Sequence, residues 1–295
     1  MKVAIFGRYY SVTTPKSVET LLNYLESKGF EAYLETEFHK LIDVESHGIK
    51  NFHKYKTFSE LDTSFDFLVS IGGDGTILRA TMFVKDLGIP IIGINTGRLG
   101  FLATIQVNAI EKAIQDIIDG NYRISERSIL TVETTPENED IKSMNFALNE
   151  ITVSRKNTTA MITIDTHLDD EFLNSYWSDG LIVSTPTGST GYSLSCGGPV
   201  ITPGAKSFVL TPIAPHNLSA RPLVVPDSTE IHLRVNGREN EHLISLDSRI
   251  ATLENGTLIK IKKADFKIKM IDLLNESFLK TLRNKLLWGE DKRNK

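Results

Sequence analysis

The sequence predicts an α/β amino-terminal domain built on a parallel sheet, then an all-β domain, then a helix that packs back on the first domain. Three observations predict this. Up to Tyr122, buried-looking apolar runs alternate with segments of helical period, the pattern of a parallel sheet covered by helices. Over residues 123–270, short alternating or apolar runs separated by turn residues take over. Beyond residue 270, Leu273, Leu274, Phe278, Leu279, Leu282, Leu286 and Leu287 recur at helical spacing. A helix with such a face needs an apolar partner, and the helices of the first domain are the natural one. The boundaries read this way are 1–122, 123–270 and 271–295.

In order, Val3-Ala4-Ile5-Phe6 reads as a buried first strand. Residues 15–28 read as a helix with Val18, Leu21, Leu22 and Leu25 on one face and Gly29 as its stop. Residues 31–35 form a second strand. Residues 38–59 are polar and irregular, with His39, His47 and His53 read as surface histidines, because no carboxylate or cysteine pattern around them fits a metal site. Phe65 to Val69 read as a buried strand, and a helix is expected to begin at Ile77. Residues 88–94 are another buried strand. Residues 107–120 are a helix with Ile110, Ala113, Ile114, Ile117 and Ile118 on one face.

Two glycine-rich loops follow the strands of this domain, Gly72-Gly73-Asp74-Gly75-Thr76 and Gly97-Arg98-Leu99-Gly100. In a parallel α/β sheet, ligands bind beyond the carboxyl ends of the strands, where both loops fall. Glycines let a phosphate approach the backbone, and the following helix start favours anions. A carboxylate at Asp74 in such a turn is either a helix cap or a base or metal contact beside a phosphoryl group. In the β domain, residues 146–153 read as one apolar strand interrupted by the polar pair Asn149-Glu150. Buried polar groups need partners, so the pair marks a site. Residues 179–199 lead a strand into a loop of glycine and hydroxyl residues, rich in donors for a phosphate-bearing ligand. The loop around His216 is braced by Pro212, Pro215 and Pro222.

The net charge of −4 argues against phosphate-driven nucleic-acid binding, and no apolar run reaches the length of a membrane span. The single cysteine, Cys196, allows no internal disulfide and reads as a packed residue; a reducing cytoplasm fits this usage. The amino terminus reads as a strand and not a signal peptide. Neither a Walker P-loop nor a G-x-G-x-x-G fingerprint occurs.

Gly72-Gly73-Asp74-Gly75-Thr76 resembles the signature shared by NAD kinases, diacylglycerol and sphingosine kinases and, more distantly, phosphofructokinases. Residues 97–102, Asn149-Glu150, residues 179–199 and residues 215–222 resemble NAD kinases specifically, in the family's order. The resemblance implies a Rossmann-like first domain and ATP-dependent phosphorylation of the adenosine ribose 2′-hydroxyl of NAD, giving NADP. It implies Asp74 as general base and Gly75, Arg79, Asn149, Glu150 and Asp179 as contacts to NAD. Thr187, Thr190, Gly191, Tyr192, Ser193, Leu194, Ser195 and Ala214 line the NAD site in the same reading. His216 and Arg249 are candidates for phosphate contacts. Magnesium is expected to arrive with ATP and no protein metal site is expected. The expected partners are NAD and ATP, in a cytoplasmic homo-oligomer, dimer or tetramer, that binds neither nucleic acid nor membrane.

Two positions depart from the family pattern. Gly191 stands where alanine is usual, and Asp247-Ser248-Arg249 stands where Asp-Gly-Gln is common. With Glu150 taken as an ordinary carboxylate, Glu150→Gln is expected to weaken NAD binding. Two alternatives share parts of the pattern, a lipid kinase using the same glycine turn and a non-catalytic dinucleotide sensor.

Overall fold

The structure is a computed structural model that describes residues 1–8, 13–45, 52–143, 145–157, 160–217 and 219–288. His47, Leu218 and the charged tail 290–295 lie outside them. The chain divides into two compact units, Met1–Glu126 with Ile268–Lys295, and Arg127–Lys267.

The first unit begins with β1 (Lys2–Gly7), buried from Val3 onward, and α1 (Thr13–Ser27). Val18, Leu21, Leu22 and Leu25 of α1 are all buried, the stripe that a 3.6-residue period produces. β2 (Glu31–Glu35) leads straight into α2 (Thr36–Glu45). This helix corrects the irregular reading of residues 38–59. Among its described side chains, Phe38 and Ile42 give it an apolar face, too few to register as a period. Its start is secured by the Glu35 carboxylate, which accepts the Glu37 and Phe38 N–H groups at 3.0 and 2.8 Å. His39 is no surface histidine: its ring stacks on Phe52 at 4.6 Å, with Nε2 buried.

After a 3-10 turn (Phe52–Lys54) come β3 (Lys56–Phe58), β4 (Phe67–Gly72) and α3 (Asp74–Val84). α3 starts three residues before the expected Ile77, directly on the glycine turn. β5 (Ile91–Asn95) and the short β6 (Ile105–Gln106) precede α4 (Ile110–Ile118), whose Ile110, Ala113, Ile114 and Ile117 are buried. Ile118, read as part of that face, is exposed. β7 (Tyr122–Arg127) ends this segment.

The second unit contains β8 (Leu130–Thr135), α5 (Glu139–Ser143), β9 (Phe146–Ala147), β10 (Glu150–Arg155), β11 (Ile162–Leu168), β12 (Glu171–Ser178) and β13 (Gly180–Ser184). α6 (Tyr192–Ser195), β14 (Ser207–Ile213), β15 (Leu223–Pro226), β16 (Ile231–Gly237), β17 (Glu241–Leu246), β18 (Arg249–Glu254) and β19 (Leu258–Lys263) complete it. Two six-stranded sheets result, β15-β14-β13-β10-β17-β18 and β12-β11-β16-β19-β8-β9. Alternation builds their shared core: Ile231, Leu233 and Val235 of β16 point inward, as do Ile151 and Val153 of β10. The unit is β-rich, with α5 and α6 as short exceptions to the all-β expectation.

The chain then returns to the first unit as β20 (Ile268–Leu273) and α7 (Phe278–Leu286). The first sheet runs β3-β2-β1-β4-β5-β20-β7, with β6 beside β5. β1 to β5 are joined by parallel pairs in the 3-2-1-4-5 order of a Rossmann sheet, which reverses direction between β1 and β4. The expected single apolar face of the last helix does not form. Leu273 belongs to β20, Leu274 and Leu287 lie outside α7, and Leu279 is exposed. Leu282 and Phe278 make the packing instead, the latter against Phe101 at 6.0 Å.

Candidate active site

In the first unit the site grows out of β4. This strand is buried throughout, so the chain leaves the sheet only at Gly72. Gly73 is the N-cap of α3, in extended conformation and without a side-chain cap. Asp74 is therefore the first residue of the helix and not its cap, which closes the capping reading of this carboxylate. It reaches instead to the second glycine loop. Oδ2 accepts the Phe101 N–H at 2.7 Å, and Oδ1 accepts those of Leu102 and Ala103 at 3.0 and 2.9 Å. A Cβ at Gly100 would collide with this carboxylate. Asn95, at the end of neighbouring β5, fixes the same loop: Nδ2 donates to the carbonyls of Arg98 and Ala103, and Oδ1 accepts from Gly97 N–H.

A carboxylate offers about four acceptor positions. Three are filled, so one remains open. Around Asp74 the backbone is open, because a Cβ at Gly73 or Gly75 would meet nothing within 4 Å. Lys285 of α7 brings its ammonium to 4.0 Å from Asp74 Oδ2 and 4.9 Å from the Phe101 ring centre. Arg79 lies further along α3, exposed. A cavity of about 760 Å³ lies in the same unit, lined by Lys16, Asn95, Thr96, Gly97, Gln106 and Asn108 among others.

In the second unit the expected single strand over residues 146–153 is two strands in two different sheets. Phe146 pairs with Thr131 of β8, while Glu150 pairs with Ser184 of β13. The chain crosses between sheets at Leu148-Asn149, and three N–H groups there find an acceptor outside the ladders. The Asp247 carboxylate supplies it: Leu148 N–H donates to Oδ2 at 3.0 Å, and the Asn149 and Glu150 N–H groups to Oδ1 at 2.7 and 3.3 Å. Arg249 supports the same crossing, donating to the Phe146 and Leu246 carbonyls and lying over the Phe146 ring. These donors, in a residue expected to meet phosphate, are turned onto the protein's own backbone.

The hydroxyl-rich loop docks on this crossing. Thr185 Oγ1 donates to the Leu148 carbonyl at 2.6 Å, and Thr185 N–H to the Asn149 carbonyl at 2.9 Å. Gly188 packs so closely that a Cβ would strike that same Asn149 carbonyl. Held this way, Asn149 Oδ1 and Glu150 Oε2 are buried with no hydrogen-bond partner. Burial pushes the Glu150 carboxyl up to about 8, and the Asp247 carboxylate adds to this, while the Tyr192 N–H works against it. Glu150 is thus protonated at neutral pH and can donate a hydrogen bond. Asp247 is also raised by burial, opposed by the three N–H groups and Arg249.

Of the other predicted residues, Gly191 lies against this pair: a methyl group in place of its hydrogen would stand only 3.0 Å from Glu150 Oε2 and 3.3 Å from Asn149 Nδ2. Tyr192 is exposed, and its hydroxyl is raised chiefly by burial and by Cys196. Thr187 is buried and its carbonyl accepts from Thr190 Oγ1. The Ser193 hydroxyl is paired with that of Thr211 at 2.8 Å inside the unit, whereas Ser195 is exposed. Asp179 forms a two-point ion pair with Arg155, at 2.9 Å to Nε and 3.0 Å to Nη2. Ala214 is exposed with a positive φ of 43°, and the His216 ring packs 4.5 Å from Trp177.

The ATP-NAD kinase N-terminal domain profile matches residues 3–122, and the C-terminal domain profile matches residues 148–273. The chain is 56% identical over 294 residues to an NAD kinase of Flavobacterium johnsoniae, with both chains fully covered. It belongs to the NAD kinase family. An NAD kinase of Bacteroides fragilis is 40% identical over 294 residues, covering 99% of this chain and all of that one. Among solved structures, an NAD kinase from Archaeoglobus fulgidus in complex with ATP is similar at a TM-score of 0.71 and 27% identity, covering 97% of each chain. A yeast NADH kinase complexed with NADH has a TM-score of 0.85 at 22% identity, covering all of this chain and 89% of that one, and shows the likeness of fold.

Three partners of the predicted residues, one in the first unit and two in the second, are not visible to sequence reasoning. Lys285 falls within a helical run, and nothing in its neighbours points to Asp74. Asp247 opens an altered tripeptide, which gives no hint that it is the acceptor for the Asn149-Glu150 backbone. Arg155 carries no motif of its own. Its place on β10, whose residue Ser154 pairs with Gly180, is the available signal for its contact with Asp179.

Proposed function

We propose that the chain transfers the γ-phosphoryl group of ATP to the 2′-hydroxyl of the adenosine ribose of NAD, giving NADP and ADP. The observation that carries this reading is the Asp74 carboxylate, fixed by three backbone N–H groups in an open glycine turn with one acceptor position left. That position receives the 2′-hydroxyl proton as the ribose oxygen attacks the γ-phosphorus. The new O–P bond forms, the bond between the γ-phosphorus and the bridging oxygen breaks, and ADP leaves with that electron pair. Phosphoryl transfer needs alignment and neutralisation of charge, with little covalent chemistry from the protein. A positioned base contributes roughly 10²–10⁴-fold.

Asn149 Oδ1 and the protonated Glu150 carboxyl are the contacts for the adenosine part of NAD, since both hold unpartnered buried polar atoms. Asp179, Thr187, Thr190, Gly191, Tyr192, Leu194, Ser195 and Ala214 complete the NAD contacts in this reading, and Ser193 supports them through Thr211. Among the described residues, no three His, Cys, Asp or Glu side chains gather to hold a metal ion. Magnesium enters as part of the ATP substrate, held by its phosphates.

The enzyme works in the cytoplasm as a homo-oligomer in this reading. Among the described residues no helix is long and apolar enough to cross a membrane. Exposed Phe172 and Trp177 on β12, an edge strand, offer a surface for a second copy, which light scattering of the purified chain tests. The function itself is tested by incubating the purified chain with ATP and NAD and measuring NADP, with donor and acceptor varied. NADP formed from both substrates supports the reading. Phosphorylation of diacylglycerol but not NAD, or NAD binding without ATP turnover, contradicts it.

A further inference from the structure

We infer that Lys285, carried on the carboxyl-terminal helix, binds the phosphoryl group in transit beside Asp74. The inference rests on the reading of Asp74 as the base. The ammonium stands 4.0 Å from Asp74 Oδ2, too far for a hydrogen bond and at the limit of an ion pair. Its other neighbour is the Phe101 ring, 4.9 Å away, which attracts a cation without consuming an N–H donor. Phe101 in turn packs on Phe278 of the same helix. The helix is thus seated on the loop whose N–H groups hold Asp74, and the three donors of the ammonium stay available.

A purely structural ion pair is a poor explanation of this geometry. With side chains 34% and 28% exposed, such a contact is worth roughly 0–1 kcal/mol. The contact gains a use once a γ-phosphoryl group occupies the open face of Gly73 and Gly75. Its equatorial oxygens then take the Lys285 donors, while Asp74 keeps its last acceptor position for the ribose proton. Charge on the moving group needs this kind of fixed neutralisation, and a helix start alone supplies only about half a charge.

The test compares Lys285→Met, Lys285→Gln and Lys285→Arg with the wild-type chain, each first checked for an unchanged thermal unfolding midpoint. Steady-state assays vary ATP and NAD separately, and calorimetry measures binding of the magnesium complex of a non-hydrolysable ATP analogue. The expected result for Met and Gln is kcat/KM for ATP lower by roughly tenfold to a thousandfold, weaker analogue binding, and NAD affinity within about twofold of wild type. The Arg variant recovers a large part of the loss because it keeps the charge. Unchanged ATP parameters in the folded Met or Gln variant overturn the inference, as does equal weakening of ATP and NAD. A wild-type chain that makes no NADP fails the underlying reading instead, and this inference with it.

Discussion

Asp74 and Gly100 are in such close apposition that the glycine has no room for a side chain: a Cβ there would fall on the carboxylate. The contact ties the turn after β4 to the loop after β5 and leaves one acceptor position of Asp74 unused. Gly100→Ala must push the carboxylate away from the Phe101, Leu102 and Ala103 N–H groups. The expected loss is at least about a hundredfold in kcat, comparable to displacing a catalytic group by about 1 Å. Assay of this variant, with circular dichroism to confirm its fold, checks it; normal turnover would mean that the clamp is dispensable.

Asp247 replaces a missing stretch of sheet ladder at Leu148, Asn149 and Glu150. Asp247→Ala leaves three N–H groups without their acceptor and is expected to cost on the order of 2–4 kcal/mol in urea unfolding. Asp247→Asn keeps one acceptor oxygen and should cost less. Because Asp247 also helps to raise the Glu150 carboxyl, either change should move that group back toward the usual carboxylate range. NMR titration of the Glu150 carboxyl carbon reads this directly.

The Glu150 carboxyl titrates near 8 in the folded chain against 4.5 for an ordinary glutamate. Between those values the folded state holds a proton that the unfolded state has released. Stability from this group therefore falls as pH rises from about 4.5 to about 8 and is level above, by an amount on the order of 5 kcal/mol. Glu150→Gln should flatten that slope in denaturant titrations across the range; an unchanged slope would assign it to other groups.

The same protonation revises what Glu150→Gln does to substrate binding. An amide mimics the protonated acid, offering both a donor and an acceptor toward the ligand. NAD affinity of this variant is expected within about threefold of wild type at pH 7, and without the weakening expected of wild type above about pH 8. Glu150→Ala removes the group and should weaken NAD by roughly tenfold to a hundredfold. Equilibrium dialysis with NAD on either side of the Glu150 titration separates these outcomes.

Much of the candidate residue set in each unit was legible in the sequence because its signals are local. The run Phe67–Gly72 is buried on both faces, so its apolar residues announce a central strand, and a glycine turn must follow it. Asn149 and Glu150 stand out because polar residues in an apolar run demand partners. What escaped is non-local. The carboxylate that holds their backbone comes from Asp247, 98 residues beyond Asn149 along the chain. Lys285 reaches Asp74 only because β20 returns the chain to the first sheet. Helix α2 escaped for a different reason, since two buried side chains and a cap from Glu35 make no visible period. The single face expected for the last helix failed because Leu273 and Leu274 are separated from it by a turn.

The central claim is that Asp74 takes the ribose proton and that NAD binding is set elsewhere. Comparing the wild-type chain with Asp74→Asn, in one assay of NADP formation from saturating ATP and NAD together with NAD binding by calorimetry, tests it most directly. The account predicts a fall in kcat of roughly 10²–10⁴-fold, with NAD affinity within about threefold of wild type. Near-normal turnover by Asp74→Asn would contradict it.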